Sequence, residues 1–369
     1  MGDRNKISAH DELLAWNRGF YSEILTAPHL APIRHLYDAP PESLKEHKDF
    51  FWVHNRAMWS MICNLSQKAV DITIAGVDDY IRNRLKVPTT GLSEGGKVDA
   101  VAADLDAHGY TALPVIDAKK VAAIQSYFEE QDCYPGRYNP NPEPYSLKKA
   151  RKERPYIAHY PRSTVLQCPY LMSIANHPAL ISTVAKFLGT IPTITDYSVW
   201  WSFAKRDTPE EAQLFHYDIG DYRFCTLMIY LTDVDDTAGA HHLIDGSHDL
   251  NNLQAIQKNQ ADDQDAFNQW YFYLQRKTDE DVLRYFEQSP VSLTGEAGTN
   301  YLLLPRTIHK GIMPTERDRL VCQVTYCCTP QLQTELSPLT WGSPQTETMP
   351  KWLKAEPFRY INRLFLESE

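Results

Sequence analysis

The sequence lacks the patterns that mark several specialised classes of protein. Its seven cysteines include no CxxC pair and no ligand-like spacing, which argues against a cysteine-based zinc site or redox motif. No apolar stretch reaches the roughly 18 residues of a membrane span, and the first residues have no apolar core of the kind a secretory signal needs. We therefore expect a cytoplasmic protein with reduced, mostly buried thiols.

Basic residues are also fewer than acidic ones. Lys and Arg number 37 against 47 Asp and Glu, which gives a net charge of -10 and argues against nucleic acid or an anionic membrane as partner. Hydrophobic residues at 43% and charged residues at 23% are typical of a soluble globular protein. A small molecule is the expected partner, and nothing in the composition indicates an oligomeric state.

The chain divides into three predicted regions. Residues 1–98 form a helical N-terminal region, because apolar residues recur at three- and four-residue intervals in "DELLAWNRGFYSEIL" and again from "FFWVHNRAMW" onward. Short strands dominate residues 99–330, with a polar, helical insertion at residues 250–288, and residues 331–369 form a C-terminal tail with a short helix. This order predicts an α+β fold with a mainly β core, a sandwich or jelly roll rather than a βαβ sheet.

The stretch "QLFHYDIGDYRF" contains a His-x-Asp pair, His216 and Asp218, in sequence that predicts a strand. Side chains two residues apart on a strand project from the same face, so one imidazole and one carboxylate can bind a single ion. His47-Lys48-Asp49 has the same spacing but lies in helical sequence, where residues two apart diverge. Strand geometry therefore singles out His216 and Asp218 as metal ligands.

A third ligand has to come from elsewhere in the chain. The candidates are four histidines, namely His241, His242, His248 and His309. His309 is favoured because it follows "TNYLLLPRTI", at the end of a strand that reads as buried, whereas His242 and His248 flank a predicted Gly-Ser turn.

Two histidines and one carboxylate form the facial triad of non-haem Fe(II) oxygenases, which leaves three coordination positions open. Such a centre carries net positive charge and suits an anionic chelator such as 2-oxoglutarate, whose far carboxylate needs its own anchor. A guanidinium is the best carboxylate anchor. Arg317 and Arg319 both follow His309, and Arg319 is favoured because it opens a predicted strand.

Four segments, in order, resemble the phytanoyl-CoA dioxygenase family of Fe(II)- and 2-oxoglutarate-dependent oxygenases. They are "FHYD", "LTDVDDTAGAHHLIDGSH", "YLLLPRTIHKG" and "RDRLVCQVTY", and "LDAHGYTALPVIDAKKVAAI" resembles the strand and helix that open the family's domain. The similarity covers about residues 101–330.

The resemblance implies a double-stranded β-helix, of the jelly-roll or cupin-like kind, with flanking helices. It further implies Fe(II) as metal, 2-oxoglutarate and O₂ as co-substrates, His216, Asp218 and His309 as metal ligands, and Arg319 as the 2-oxoglutarate arginine. The turn Gly246-Ser247-His248 matches a structural "GSH" element. His241 and His242 depart from the family, where small and aliphatic residues are commoner, and residues 1–98 match nothing in it.

The expected activity is hydroxylation of an unactivated C–H bond in a small metabolite, with release of succinate and CO₂. Halogenation is disfavoured because related halogenases have a small residue in place of the carboxylate of Asp218. Desaturation and cyclisation stay open, as do a cupin-like hydrolase or isomerase with Zn²⁺ or Mn²⁺ and a non-catalytic β-barrel. Near the ligands, Trp200, Trp201 and Tyr222 are candidates for pocket or core, and Asp221 and Arg223 for substrate contacts or surface charges.

Overall fold

The structure is a computed structural model, and it describes residue 31 and residues 58–61, 64–92, 95–136, 143–260, 263–330, 338–343, 346 and 349–367. The predicted helix "DELLAWNRGFYSEIL" and the comparison motif at residues 47–49 lie outside these residues.

Eleven α-helices lie wholly within the described part of the chain, and the described residues 58–61 are also helical. In chain order they are α1 (Gln67–Asp79), α2 (Lys97–His108), α3 (Ala118–Glu129), α4 (Leu147–Glu153), α5 (Arg162–Leu166), α6 (Leu171–Ala175), α7 (Pro178–Leu188), α8 (Leu250–Asn259), α9 (Gln264–Asn268), α10 (Asp279–Phe286) and α11 (Phe358–Ile361). Helix α3 begins where the Asp117 carboxylate accepts hydrogen bonds from the amides of Lys119 and Lys120. Helix α7 ends at Gly189, which adopts a φ of 78°.

Twelve strands accompany these helices in the same residues. They are β1 (Tyr110–Ala112), β2 (Tyr134–Pro135), β3 (Ile157–His159), β4 (Thr193–Ser202), β5 (Phe224–Tyr230), β6 (His241–Leu243), β7 (Val291–Leu293), β8 (Asn300–Leu303), β9 (His309–Gly311), β10 (Arg319–Cys327), β11 (Leu339–Thr340) and β12 (Leu366–Glu367).

Two antiparallel sheets form the β core. The major sheet has seven strands in the order β1-β8-β5-β10-β4-β3-β2, and the minor sheet has three in the order β7-β6-β9. The pairings β4-β10, β5-β10, β5-β8 and β6-β9 join strands that are distant in sequence, and they are antiparallel, so they form no βαβ unit. The α+β prediction is confirmed, and the architecture is a double-stranded β-helix.

Successive side chains on a strand point to opposite faces of the sheet, and the two faces of the major sheet belong to two different hydrophobic clusters. On β5, Leu227 and Ile229 belong to the large cluster that includes the helices, whereas Met228 and Tyr230 belong to a smaller one shared with Leu243 of the minor sheet. The major sheet thus turns one face to the helices and the other to the minor sheet. The functional cavity lies along this second face.

The regions outside the β core pack onto it. Buried residues of α1, such as Val70 and Ile74, and residues near the C-terminal end, such as Phe365, belong to the same large cluster as the major sheet. The polar insertion contains α8, α9, a π-helical turn at Gln269–Tyr273 and α10. The division of the chain at residues 98 and 330 stays a prediction.

The remaining expectations concern thiols and membranes. Six cysteines, Cys133, Cys168, Cys225, Cys322, Cys327 and Cys328, are free and buried, and Cys63 lies outside the described residues. No helix in the described part of the chain combines the length and the apolar character that crossing a membrane requires.

Candidate metal centre and active site

His216 and His309 are joined through their main chains. The amide of His216 donates to the His309 carbonyl at 2.9 Å, and the amide of His309 donates to the His216 carbonyl at 2.8 Å. The predicted strand around His216 is therefore wrong as a regular element. Only Phe215 and His216 form bridges, because Phe215 pairs with Lys277 and His216 pairs with His309, so no single partner strand runs alongside.

Two further details of the prediction need correction or qualification. His309 begins β9 rather than ending the preceding strand, since β8 stops at Leu303 and a turn intervenes. Asp218 lies beyond the bridge, but its amide still donates to the Pro305 carbonyl at 2.8 Å. The backbone on both sides of Tyr217 is thus tied to the segment that carries His309, and Asp218 points to the same place as His216.

The three side chains meet in one cluster. His216 Nε2 lies 4.0 Å from Asp218 Oδ1, and His309 Nε2 lies 3.9 Å from Asp218 Oδ2. One potential ligand atom from each residue falls within 4.8 Å of the others. Two atoms that each lie about 2.1 Å from one ion are at most about 4.2 Å apart, so both carboxylate distances are compatible with a shared ion.

Each histidine presents the nitrogen that a metal needs. The Nδ1 atoms of His216 and His309 lie 2.8 Å from the carbonyl oxygens of Leu214 and Thr307. A carbonyl can only accept, so each Nδ1 carries the proton and each Nε2 keeps its lone pair for a metal. Burial, with His309 beside it, lowers the pKa of His216 to about 3, which keeps that imidazole neutral.

Arg319 and Arg317 occupy different surroundings. Arg319 is buried, and its Nη1 donates to the Gly239 carbonyl while Nη2 lies 3.4 Å from Ser202 Oγ. Its Nε is buried and has no hydrogen-bond partner among the described residues. Arg317 is about half exposed and pairs with Asp235. Of these two arginines, Arg319 lines the cavity that holds the three-residue cluster and Arg317 does not.

The remaining histidine candidates are separated by their positions. His241 lines the cavity and stacks on His309, with ring centroids 5.0 Å apart. Its neighbour His242 points away and pairs with Asp236. His248 lies outside this cavity and contacts the Asp106 carbonyl through Nε2 at 2.9 Å. Of the two histidines that depart from the family pattern, one therefore faces the site.

The cavity lies between the two sheets, as the alternation of β10 requires. Arg319, Val321 and Gln323 face into it, and the minor sheet supplies His241 and Leu243. Other parts of the wall come from Trp200, Thr226, Met228 and Leu303. Trp201, one strand position away from Trp200, is buried in the core, where its Nε1 donates to the Tyr160 hydroxyl at 3.1 Å.

The turn Gly246-Ser247-His248 supports the segment that ends in His309. Ser247 Oγ accepts from the Ile308 amide at 2.8 Å, and His248 Nδ1 lies 3.4 Å from Thr307 Oγ1. Gly109 lies against the side chains of Thr307 and His248. It has a φ of +77°, and a Cβ there would stand 2.2 Å from Thr307 Oγ1. Glycine is thus required for both conformation and space.

The insertion returns to the site through Lys277, a residue that sequence reasoning missed. Its amide donates to the Phe215 carbonyl at 2.8 Å, next to His216. The side chain is 2% exposed, its Nζ donates to the Leu274 carbonyl, and it lies 4.8 Å from the ring centroid of Tyr217. Burial lowers the pKa of Lys277 to about 8. Arg276 precedes it and lines the cavity, paired with Glu211 at 2.9 Å.

Asp221 is neither a surface charge nor a substrate contact. It is fully buried, and its carboxylate accepts hydrogen bonds from Thr329 N at 2.7 Å, Thr329 Oγ1 at 3.0 Å and Tyr222 N at 2.7 Å. Burial raises its pKa to about 7 despite these donors. The carboxylate joins the start of β5 to the end of β10. A polar residue in a loop gives no sequence signal for such burial.

The donor set defines a class of protein. Two imidazoles and one carboxylate suit Fe(II) in a mononuclear non-haem centre. The buried Arg319 Nε, which has no partner among the described residues, suits a bound carboxylate in the same cavity. The residues therefore fit iron and an anionic chelating co-substrate.

Residues 105–313 match the phytanoyl-CoA dioxygenase (PhyH) family. The chain belongs to this family of Fe(II)- and 2-oxoglutarate-dependent oxygenases, and its cofactors are iron and 2-oxoglutarate. The class is thereby set apart from the alternatives of a cupin-like hydrolase and a non-catalytic barrel.

Among proteins of curated function, no match is found. The chain is similar to several solved structures. HygX from Streptomyces hygroscopicus, with nickel and 2-oxoglutarate bound, is 15% identical, with 67% of this chain and 91% of that chain covered and a TM-score of 0.41. EvdO2 from Micromonospora carbonacea var. aurantiaca, complexed with 2-oxoglutarate, is 13% identical, with coverages of 67% and 96% and a TM-score of 0.43. The epimerase SnoN from nogalamycin biosynthesis is 17% identical, with coverages of 62% and 81% and a TM-score of 0.40.

Proposed function

We propose that this protein hydroxylates an unactivated C–H bond of a small-molecule metabolite, with His216, Asp218 and His309 as the iron ligands. The observation that carries the proposal is that one cavity contains both this cluster and a buried guanidinium with a free donor, Nε of Arg319. A hydrolytic metal site would have no use for that guanidinium.

Hydrogen bonds within the protein orient the two histidines for metal binding. Their Nδ1 protons are held by the carbonyls of Leu214 and Thr307, so both Nε2 lone pairs face the Asp218 carboxylate. The low pKa of His216 means that few protons have to leave when a cation binds. The main-chain pairing of His216 with His309 fixes the spacing of the two rings.

Arg319 would hold the far carboxylate of 2-oxoglutarate. Its side chain is fixed by Gly239 and Ser202, and the absence of a side chain at Gly311 leaves room for the guanidinium, since a Cβ there would lie 3.1 Å from Nη2. A buried guanidinium paired with a carboxylate gives a charge-assisted, two-point contact. Arg317 is already paired with Asp235 outside the cavity.

When bound, iron and 2-oxoglutarate use O₂ to form succinate and CO₂ and to transfer one oxygen atom to the substrate. The chain excludes water from that chemistry with the apolar part of the cavity wall, including Met228 and Leu243. The carboxylate of Asp218 occupies the position that a halide needs in related halogenases, which supports hydroxylation over halogenation.

The substrate would enter on the side of the insertion. There the cavity is lined by Tyr156, Glu211 and Arg276, and the last two form an ion pair. These polar groups support a small molecule with hydrogen-bonding groups as substrate. We also propose that the chain divides into an N-terminal region, an oxygenase domain and a C-terminal tail. A location in the cytoplasm is likewise part of the proposal.

The decisive experiment is a succinate-release screen. Protein loaded anaerobically with Fe(II) and 2-oxoglutarate should show a visible charge-transfer band, and exposure to O₂ with a panel of metabolites should release succinate above the substrate-free level. A product heavier by one oxygen atom identifies hydroxylation, whereas loss of two hydrogen atoms identifies desaturation or ring closure. A D218A variant that kept both the band and the succinate would contradict the assigned metal centre.

A further inference from the structure

A second cavity lies behind the metal site. Its volume is about 310 Å³, and none of the three proposed iron ligands lines it. The described residues of its wall come from α1, α2, α7, α8 and the loops between strands, namely Gln67, Val70, Asp71, Asp106, Phe187, Tyr222, Arg223, His248, Asp249, Asn251, Leu304 and Arg306. Leu304 also lines the active-site cavity, so the two cavities are neighbours across the segment at residues 304–309.

Arg306 is the unusual member of this wall. The residue is 8% exposed, and it has no hydrogen bond or ion pair with any described residue. Arginine stays charged in proteins, and a buried charge without a partner costs several kcal/mol. Burial lowers the pKa of Arg306 in keeping with this. A buried guanidinium in a polar cavity therefore has no counter-ion among the residues that the structure describes.

Two other charged groups of the wall already have partners among the described residues. Arg223 donates to the Asp71 carboxylate at 2.8 Å and to the Phe187 carbonyl at 3.2 Å. Asp249 accepts from the Asn251 amide at 2.8 Å at the start of α8. The unused charge and hydrogen-bonding capacity thus belong mainly to Arg306.

The acidic members of the wall set a limit on the ligand. Asp71, Asp106 and Asp249 are exposed, and their charges would repel a highly charged anion. They favour a ligand with a single oxyanion group for the guanidinium and with donors, such as hydroxyls or an ammonium, toward the carboxylates.

We propose that this second cavity binds a small metabolite through one oxyanion group, a carboxylate or a phosphate monoester, held by Arg306. The residue before it, Pro305, accepts the hydrogen bond from the Asp218 amide, and His309 follows three positions later. Occupancy of the second cavity fixes the segment that carries or contacts two proposed iron ligands. The binding site does not depend on the reaction proposed for the first cavity.

The test uses the full-length, metal-free protein, with thermal unfolding and calorimetry during titration with inorganic phosphate or acetate at constant ionic strength. At least one of the two should stabilise the wild-type protein saturably, and comparison of the two shows whether phosphate or carboxylate chemistry is preferred. The R306M variant should bind at least about 10-fold more weakly, a difference of about 1.4 kcal/mol. It should also unfold at a higher temperature than the wild type when no anion is added, since the unpaired charge is gone.

Two variants separate this site from other arginines. R317M removes an exposed arginine that is already paired and should keep the full response. R319M removes the guanidinium of the active-site cavity and should also keep it, so a response lost in R319M would place the anion there instead. Equal binding by R306M and wild type, no saturable response to either anion, or an R306M variant less stable than wild type without anion would each overturn the proposal.

Discussion

His216 and His309 hold each other by a reciprocal pair of main-chain hydrogen bonds, 2.9 and 2.8 Å long. The spacing of the two imidazoles therefore comes from the backbone and does not depend on a metal. Side-chain substitutions at the centre should remove iron binding while the fold around it persists.

Loss of the Asp218 carboxylate should remove iron binding without unfolding the protein. The D218A variant is expected to bind Fe(II) at least about 100-fold more weakly. Loss of a residue that only hydrogen-bonds to a metal ligand typically lowers metal affinity about 10–100-fold, and loss of a ligand itself should cost at least as much. Anaerobic titration with Fe(II) measures the affinity, and circular dichroism checks the fold. H242Q is the matched control, since His242 adjoins His241 but pairs with Asp236 away from the cavity. Equal affinities in D218A and wild type would remove Asp218 from the centre.

Arg319 should control the affinity for 2-oxoglutarate. Removing one partner of a buried charge pair costs about 2 kcal/mol or more, so R319A should raise the Kd at least about 30-fold. The charge-transfer band of the Fe(II) protein, followed during anaerobic titration, reports binding. R317A should leave the Kd unchanged because Arg317 pairs with Asp235 at the surface. The opposite pattern would transfer the role to Arg317.

Gly109 should be needed for the geometry of the metal site. In G109A the new Cβ meets Thr307 Oγ1 at 2.2 Å and His248 Nδ1 at 2.8 Å, which pushes on the segment that ends in His309. G136A has a similar φ of +69° with nothing within 4 Å of the Cβ, so it carries backbone strain of roughly 1–3 kcal/mol without the clash. Chemical denaturation should show a larger loss in G109A, and only G109A should weaken Fe(II) binding. Equal losses would mean that the surroundings yield to the added carbon.

Asp221 should give the protein a component of stability that falls as pH rises. Its folded-state pKa of about 7 exceeds the ordinary 3.8, so the folded state holds the proton more tightly. The stabilisation is fully present below about pH 4 and is lost as pH rises through about 7. Urea unfolding of wild type and D221N at about pH 5 and about pH 8 should show the stability advantage of the wild type shrinking at the higher pH. An advantage that grows instead would mean that the hydrogen-bonded carboxylate is ionised throughout.

Local patterns predicted only part of this site. The two-residue period of a strand predicted that His216 and Asp218 project to the same side. Main-chain hydrogen bonds from both residues to the segment at residues 305–309 accompany that arrangement, although a regular strand is absent. His309 lies 91 positions beyond Asp218 (309 minus 218), and only the topology of two sheets brings it near. The family resemblance supplied that pairing, whereas spacing alone left four histidines open.

Burial of polar residues was harder to foresee. Asp221, Lys277 and Arg306 are each 8% exposed or less, yet their sequence neighbourhoods are those of ordinary loops. Their burial depends on contacts between residues distant in sequence, such as those of Asp221 with Thr329 and of Lys277 with Phe215. Arg317 and Arg319 are two positions apart, so a strand pattern alone would place both side chains on the same face of the sheet. They differ because β10 begins at Arg319 and Arg317 lies before it.

Lys277 has a consequence for protein engineering. It joins the insertion to Phe215, directly before the first metal-ligand candidate, while its ammonium lies among the rings of Tyr217, Trp270 and Tyr271. Chimeras that exchange parts of the insertion to alter substrate choice should therefore retain Lys277 together with Trp270 and Tyr271. A graft that replaces this lysine would weaken the connection between the segment that carries His216 and the cavity wall beside it.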